Sequence, residues 1–183
     1  MHGVRREVIH QQVLSLRMPL VEIDLPAFPQ NSVYEAGFAD GIAEYQDLGV
    51  KHVAFGDLFL DDIREYRIGL CQNLGIEPLF PCWGQHTRTQ AQQFLEAGFQ
   101  ATICALDRRV LQEDFLGRPF NEAFLNELPP GIDACGENGE FHSLVWNGPG
   151  FHQPVALHPE GVFRYDSFSF LDLVPHGMHK PNN

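Results

Sequence analysis

Asp133, Cys135, Glu137, Glu140 and His142 fall within ten consecutive positions, in the stretch Gly131-Ile-Asp-Ala-Cys-Gly-Glu-Asn-Gly-Glu-Phe-His-Ser143. Gly136 and Gly139 punctuate it, and glycine permits positive φ and close backbone approach, so the stretch reads as a tight loop that aims polar groups. Two carboxylates held close together share charge, which raises one pKa into the range where it can accept a proton. Glu137 and Glu140 could thus do acid–base work, one or both accepting a proton. Asn138 and the loop N–H groups could orient a carboxylate substrate, with Asp133, Cys135, Gly136 and Gly139 shaping the pocket. His142 starts the apolar run Phe141–Trp146 and is either a hydrogen-bond partner behind the site or a satisfied strand histidine. Cys135 as a nucleophile has no evident base except His142 across a bend. The bland alternative is a turn between two elements.

A second set lies earlier. Gly56 and Asp57 follow the strand-like Lys51–Phe55, and open parallel sheets bind ligands where their strands end. A missing side chain at Gly56 lets a nucleotide approach. Asp57 could bind Mg²⁺ or a ribose hydroxyl, or simply be a carboxylate favoured at a helix N-terminus. Asp61 and Asp62 read as helix-start residues. Arg64 and Arg67 lie three apart on one helix face and could reach an anion, or pair with Glu65 and Asp61 on a solvated face. Trp83, in Pro81-Cys-Trp-Gly84, could stack on a base or pack in a core. Arg118, in Phe115-Leu-Gly-Arg-Pro119, is a further anion contact.

The elements that must position these groups alternate. Arg5–Arg17 reads as a helix, Leu20–Leu25 as a strand, and a helix capped by Asn31 or Ser32 runs to about Asp47. Gly37 and Gly41 weaken that helix but allow close packing. Then come strand Lys51–Phe55, helix Asp61–Leu74, strand Ile76–Phe80, a helix from a Thr87 cap to about Ala97, and strand Phe99–Ala105. This rhythm predicts an α/β fold with a partial doubly wound parallel sheet. After Asp107 it changes to a small α+β part with an antiparallel meander: Phe141–Trp146, Pro154–His158, Val162–Asp166 and Phe168–Leu173, separated by Gly148-Pro-Gly150 and Pro159-Glu-Gly161 turns. The expected organisation is residues 1–106 as an α/β domain, 107–174 as a site-bearing domain, and 175–183 as a frayed tail.

The chain has 183 residues, room for a sizeable core. A net charge of -12 argues against sequence-independent nucleic-acid binding, which needs clustered Lys and Arg. No apolar run is long enough for a membrane span, and the first residues lack a signal-peptide pattern. The four cysteines have no CxxC spacing, which suits reduced thiols in the cytoplasm. Nine histidines include no helical HxxxH pair for a metal.

Four segments carry a resemblance: Met1-His-Gly-Val-Arg-Arg-Glu7, Val53-Ala-Phe-Gly-Asp-Leu-Phe-Leu-Asp-Asp62, Pro78-Leu-Phe-Pro-Cys-Trp-Gly84 and Gly131–Phe151. In this order they resemble the diphthine–ammonia ligase family, PP-loop (N-type) ATP pyrophosphatases of the adenine nucleotide alpha hydrolase-like, or HUP, group. The last segment resembles a GVDPCGENGEFHT pattern, with Ala134 in place of the usual Pro and Ser143 in place of Thr. The resemblance implies ATP and Mg²⁺, a carboxylate acceptor activated with loss of pyrophosphate, and free ammonium as the nitrogen source, which one or both of Glu137 and Glu140 would hold and deprotonate. It places diphthine, on an elongation factor, as the family's acceptor; in a bacterial source the acceptor would be another carboxylate. The family's SGGKDS phosphate loop has no counterpart in the sequence, so the resemblance implies a chain lacking the first βαβ unit, with 1–106 a truncated nucleotide-binding domain and 107–174 a substrate and ammonia domain. Two outcomes follow: a C-terminal part of an amide ligase, or a non-catalytic module binding a small ligand or partner. A truncated sheet edge would also favour self-association, which a monodisperse monomer in light scattering would count against.

Overall fold

A computed structural model describes residues 3–27 and 29–177. Their contacts fall into two units. The larger joins the residues up to Pro19 with those from His86 onward; the smaller is Leu20–Gln85. The expected boundary at residue 106/107 lies inside a strand of the larger unit.

The smaller unit begins with Leu20–Leu25. Its alternation predicts a strand, but the segment is extended without a ladder partner among the described residues. It lies instead on helix α2 (Asn31–Asp47; α1 belongs to the larger unit). A Cβ at Gly37 or Gly41 would stand 2.8 or 2.7 Å from Ile23, so the glycines permit the contact. The N-cap of α2 is Gln30, not Asn31 or Ser32, and no side chain caps it. Strands β1 (His52–Ala54) and β2 (Glu77–Leu79) pair in parallel, joined by α3 (Asp61–Asn73), so this is one βαβ crossover. Leu58, Leu70, Cys71 and Ile76 form its buried set, and α2 contributes no buried residue.

The larger unit is built on a four-stranded antiparallel sheet ordered β4-β3-β6-β5. Its strands are β3 (Gln100–Asp107), β4 (Phe141–Asn147), β5 (Leu157–Tyr165) and β6 (Phe168–Pro175). The fourth predicted strand, β3, therefore does not extend the parallel sheet. It is the buried centre of a second sheet, where Ala101 through Asp107 are almost continuously shielded. It also breaks the predicted meander by standing between β4 and β6. The two short strands foreseen around Pro159-Glu-Gly161 are a single edge strand, β5, and that tripeptide is a bulge in it; an edge tolerates the proline. β6 runs to Pro175, and the rest of the predicted tail, residues 178–183, lies outside the described residues.

One face of the sheet buries Ala101, Ile103, Leu106 and Phe141 against Phe115, Phe120, Phe124 and Leu125, with α4 (Thr87–Glu96) and α5 (Glu122–Glu127). The N-cap of α4 is His86 rather than Thr87, whereas Asn121 caps α5 by accepting from Phe124 N–H at 2.9 Å. On the other face lies α1 (Arg6–Leu16), whose Val8 is 0% exposed and packs with Cys104, Leu144 and Leu173. Arg5 forks onto Asp172 of β6 (Nε to Oδ1 2.6 Å), and Gln12 donates to the Val145 carbonyl. No described helix is long and apolar enough to cross a membrane.

The β5–β6 hairpin is clamped from outside its own strands. Arg164 donates to Glu113 from Nε at 2.8 Å and Nη2 at 2.7 Å, and the Ser169 hydroxyl donates to the same carboxylate. Arg164 first, then Ser169, holds Glu113 down at about 2 from its ordinary 4.5. A carboxyl depressed in the folded state contributes stability present above its unfolded pKa and lost as pH falls through the folded one. Acid is therefore expected to loosen the clamp between about 4.5 and about 2. Thermal unfolding followed against pH should fall less steeply across that window in Glu113→Gln than in the parent; equal slopes would remove Glu113 from the acid response.

Candidate functional site

The loop between α5 and β4 is pinned to itself. Asp133 Oδ1 accepts from the N–H groups of Cys135 (2.9 Å) and Glu137 (3.1 Å), so one carboxylate turns the chain over four residues. Gly136 N–H donates to Asp133 O at 3.1 Å, and Gly139 N–H to Gly136 O at 2.9 Å. Gly136 has φ +71°, and a Cβ there would stand 2.5 Å from the Phe141 carbonyl oxygen, so backbone approaches backbone as only glycine allows.

Glu140 closes the loop. Its carboxylate accepts from Asp133 N–H (3.0 Å), Asn138 N–H (3.1 Å) and Asn138 Nδ2 (3.1 Å), while its own carbonyl accepts from Asp107 N–H at 2.9 Å. With the residue 7% exposed, this side chain is the clasp that shapes the loop. Glu137 is half-buried and gives the clasp its backbone N–H, while the exposed Asn138 gives both its N–H and its side-chain amide. The spacing alone could not divide the pair in this way. Cys135 directs its thiol to the Thr87 carbonyl at 3.3 Å, tying the loop to the start of α4. His142 lies on β4, where its carbonyl accepts from the Cys104 thiol at 3.4 Å. Burial pushes that thiol up to about 11, so Cys104 is an inert core group. Arg118 is matched by Glu127 (2.8 Å) and lies over the Phe115 ring at 4.8 Å, a bracing role in this unit.

Beside the loop, at the end of β3, Asp107 is buried and gripped by Arg109 through Nε (2.9 Å) and its backbone N–H (3.0 Å). The Arg109 hydrogen bonds keep its carboxyl below the ordinary range, hence charged. The Asp-x-Arg spacing at a strand end was the available signal for this group.

In the smaller unit, the predicted nucleotide set comes together at the ends of β1 and β2. Gly56 faces open space, with no atom within 4 Å of an added Cβ. Arg64 lies over Trp83 (4.7 Å) and Phe80 (5.2 Å); Arg67 lies over Phe55 (4.8 Å) and Tyr34 (5.8 Å). The rings of Phe38, Phe55, Phe80 and Trp83 continue one into the next, so two guanidiniums rest on an aromatic wall. Arg67 Nε is 3.8 Å from Asp57 Oδ2, and its Nη1 donates to the Tyr34 hydroxyl. Asp57 Oδ2, Arg64 Nε and Arg67 Nε are buried with no hydrogen-bond partner among the described residues. Tyr34 was missed in the sequence because a tyrosine on a mostly exposed helix carries no motif. One carboxylate facing a fixed guanidinium is a poor Mg²⁺ ligand, and no group of three or more metal-binding side chains occurs among the described residues.

These two sites sit in a chain whose residues 86–170, which include the whole clasped loop, match the family model of the diphthamide synthase C-terminal domain. That match runs from α4 into the first residues of β6. The similarity extends to curated diphthine–ammonia ligases: 26% identity with that of Bos taurus over 131 residues, covering 68% of this chain and 49% of the relative. Identity is 24% with that of Homo sapiens and 22% with that of Rattus norvegicus over the same shares. The chain is thus similar to the diphthine–ammonia ligases, and residues 86–170 carry the match to the C-terminal domain model. It spans about half the length of the curated relatives it matches.

Proposed function

We propose that this chain serves ATP-dependent amide formation, in which a carboxylate is adenylated with release of pyrophosphate and ammonia then displaces AMP. The reading is supported above all by the clasped loop, which presents Glu137 and Asn138 on a backbone fixed by Asp133 and Glu140. Ammonium must lose a proton before its nitrogen can attack, and Glu137 is the acceptor for it. Asn138 orients the acceptor carboxylate, and the fixed loop N–H groups offset charge developing on the carbonyl oxygen. Arg64 and Arg67 supply positive charge for the nucleotide's phosphates, and Trp83 a ring face. The acceptor is a small or protein-borne carboxylate, and the phosphate loop of the reaction is not among these residues.

A pyrophosphate-release assay with ATP, ammonium and candidate carboxylates tests the reading. Glu137→Gln should lower the rate at least about a hundredfold, the usual worth of a positioned base, with unchanged unfolding. A full rate in that variant would sink the assignment. The second reading, a ligand-binding module, is favoured by the orphaned polar atoms of the smaller unit. It predicts nucleotide binding tighter than about 1 mM, or about -4 kcal/mol, without turnover.

A further inference from the structure

The antiparallel sheet of the larger unit forks along its length. β3 pairs with β6 only from Ala105 to Asp107. Before that point Gly117 and Arg118 take the place of β6: Ile103 N–H donates to the Arg118 carbonyl and Gly117 N–H to the Ile103 carbonyl, both at 2.9 Å. At the fork lies a cavity of about 510 Å³, within the size range of small-molecule sites, roughly 300–1,000 Å³. Thr102 and Gly117 line it from the β3 arm, Leu171 and Leu173 from the β6 arm. Trp146, Pro154 and Pro159 add rigid rings to the lining. In a chain of net charge -12, no described acidic side chain lines this cavity. Its polar side chains, Thr102, Trp146 and His176, can all donate a hydrogen bond. His176 is exposed and held in place: its N–H donates to the Ala156 carbonyl at 2.9 Å, and its ring meets that of His158 edge to face at 5.1 Å.

We propose that this cavity binds an aromatic carboxylate, with the ring among Trp146 and the leucines and the carboxylate on His176. Apolar walls with donors and no acid favour a ligand that is apolar in body and an acceptor at one end. A cation finds no carboxylate among the described lining residues, and a sugar would leave most of its hydroxyls against leucine and proline. An imidazole donates a hydrogen bond in either charge state, so His176 can meet the carboxylate with or without a proton of its own to spare. Thr102 stands five residues before Asp107 on β3, about 17 Å along the strand. The cavity is thus a second site, away from the clasped loop and independent of the ligase function proposed for it.

Calorimetry on the full chain tests this with three probes: 2-naphthylacetate, the neutral alcohol 2-naphthylethanol, and acetate. Naphthylacetate should bind with a Kd below about 1 mM and about tenfold more tightly than the alcohol, the difference a hydrogen bond to a charged group makes. Acetate alone should bind far more weakly than either. No binding of naphthylacetate overturns the proposal, and so do equal affinities for acid and alcohol, or acetate binding as well as the naphthyl acid. His176→Ala should bring the acid-to-alcohol ratio close to one while the alcohol still binds; an unchanged ratio overturns the assignment. Ala156→Trp, which fills the cavity from an exposed lining position, should abolish binding of both naphthyl probes. Binding that persists in Ala156→Trp means that the probe lodges elsewhere and also overturns the proposal. Both substitutions fall on exposed residues, and the comparison of probes on the parent protein decides the question even where a variant fails to fold.

Discussion

Glu140→Ala is expected to destabilise the protein by about 3 kcal/mol, because it removes the buried acceptor of three hydrogen bonds, each to a charged group and worth about 1.5–3 kcal/mol less what water restores to the donors. The wild-type carboxylate takes three hydrogen bonds, two of them from backbone N–H groups that cannot turn away. Those bonds are charge-assisted, which places the loss at the upper end for hydrogen bonds. Glu140→Gln keeps one acceptor oxygen and should lose about half as much. Glu137→Gln, on the side chain outside the clasp, should stay within about 0.5 kcal/mol of the parent. Urea unfolding of the three variants separates a clasp from a reacting group. A Glu140→Ala loss below about 1 kcal/mol would mean that water replaces the carboxylate and that the loop is held some other way.

The second large effect belongs to Gly136. Its φ of +71° would cost an L-residue about 1–2 kcal/mol, and the added Cβ would press within 2.5 Å of the Phe141 carbonyl oxygen. That oxygen is backbone rather than the flexible end of a side chain, so relief requires moving the pinned loop or the start of β4. Gly136→Ala should therefore cost about 3 kcal/mol or more. Gly139 is the internal control: its φ is +84°, but no atom lies within 4 Å of a Cβ there, so Gly139→Ala should cost only about 1 kcal/mol. Equal losses at the two positions, measured by thermal unfolding, would show that φ alone matters and that the approach to Phe141 is relieved elsewhere.

The helices and the βα rhythm up to Glu96 could be read from periodicity and glycine stops, since both are local properties. Strand neighbours could not. Leu20–Leu25 has the alternation of a strand, yet a strand exists only beside another, and the described residues offer it helix α2 instead. β3 carried a correct strand signal with the wrong neighbours, because its continuous burial suits the middle of an antiparallel sheet as well as a parallel one. At the loop, composition revealed a place where carboxylates gather. Which of them clasps and which stands outside the clasp depends on hydrogen bonds from Asp133 and Asn138, and spacing does not encode those. Arg64 and Arg67 were legible as a pair by helical spacing. Their aromatic seats required Tyr34, Phe55 and Phe80 from three separate elements.

The larger unit is discontinuous in the chain: it is left at Pro19 and resumed at His86. In sequence, the smaller unit is thus an insertion between α1 and the rest of the larger unit. Bringing α1 to β6 closes a loop the length of the insertion, an entropic cost on the order of 4 kcal/mol. The cost is offset by Val8 in the core, the Arg5 fork on Asp172 and Gln12 on Val145. The 86–170 segment shared with the family model therefore takes one wall of its core from a helix that precedes the insertion.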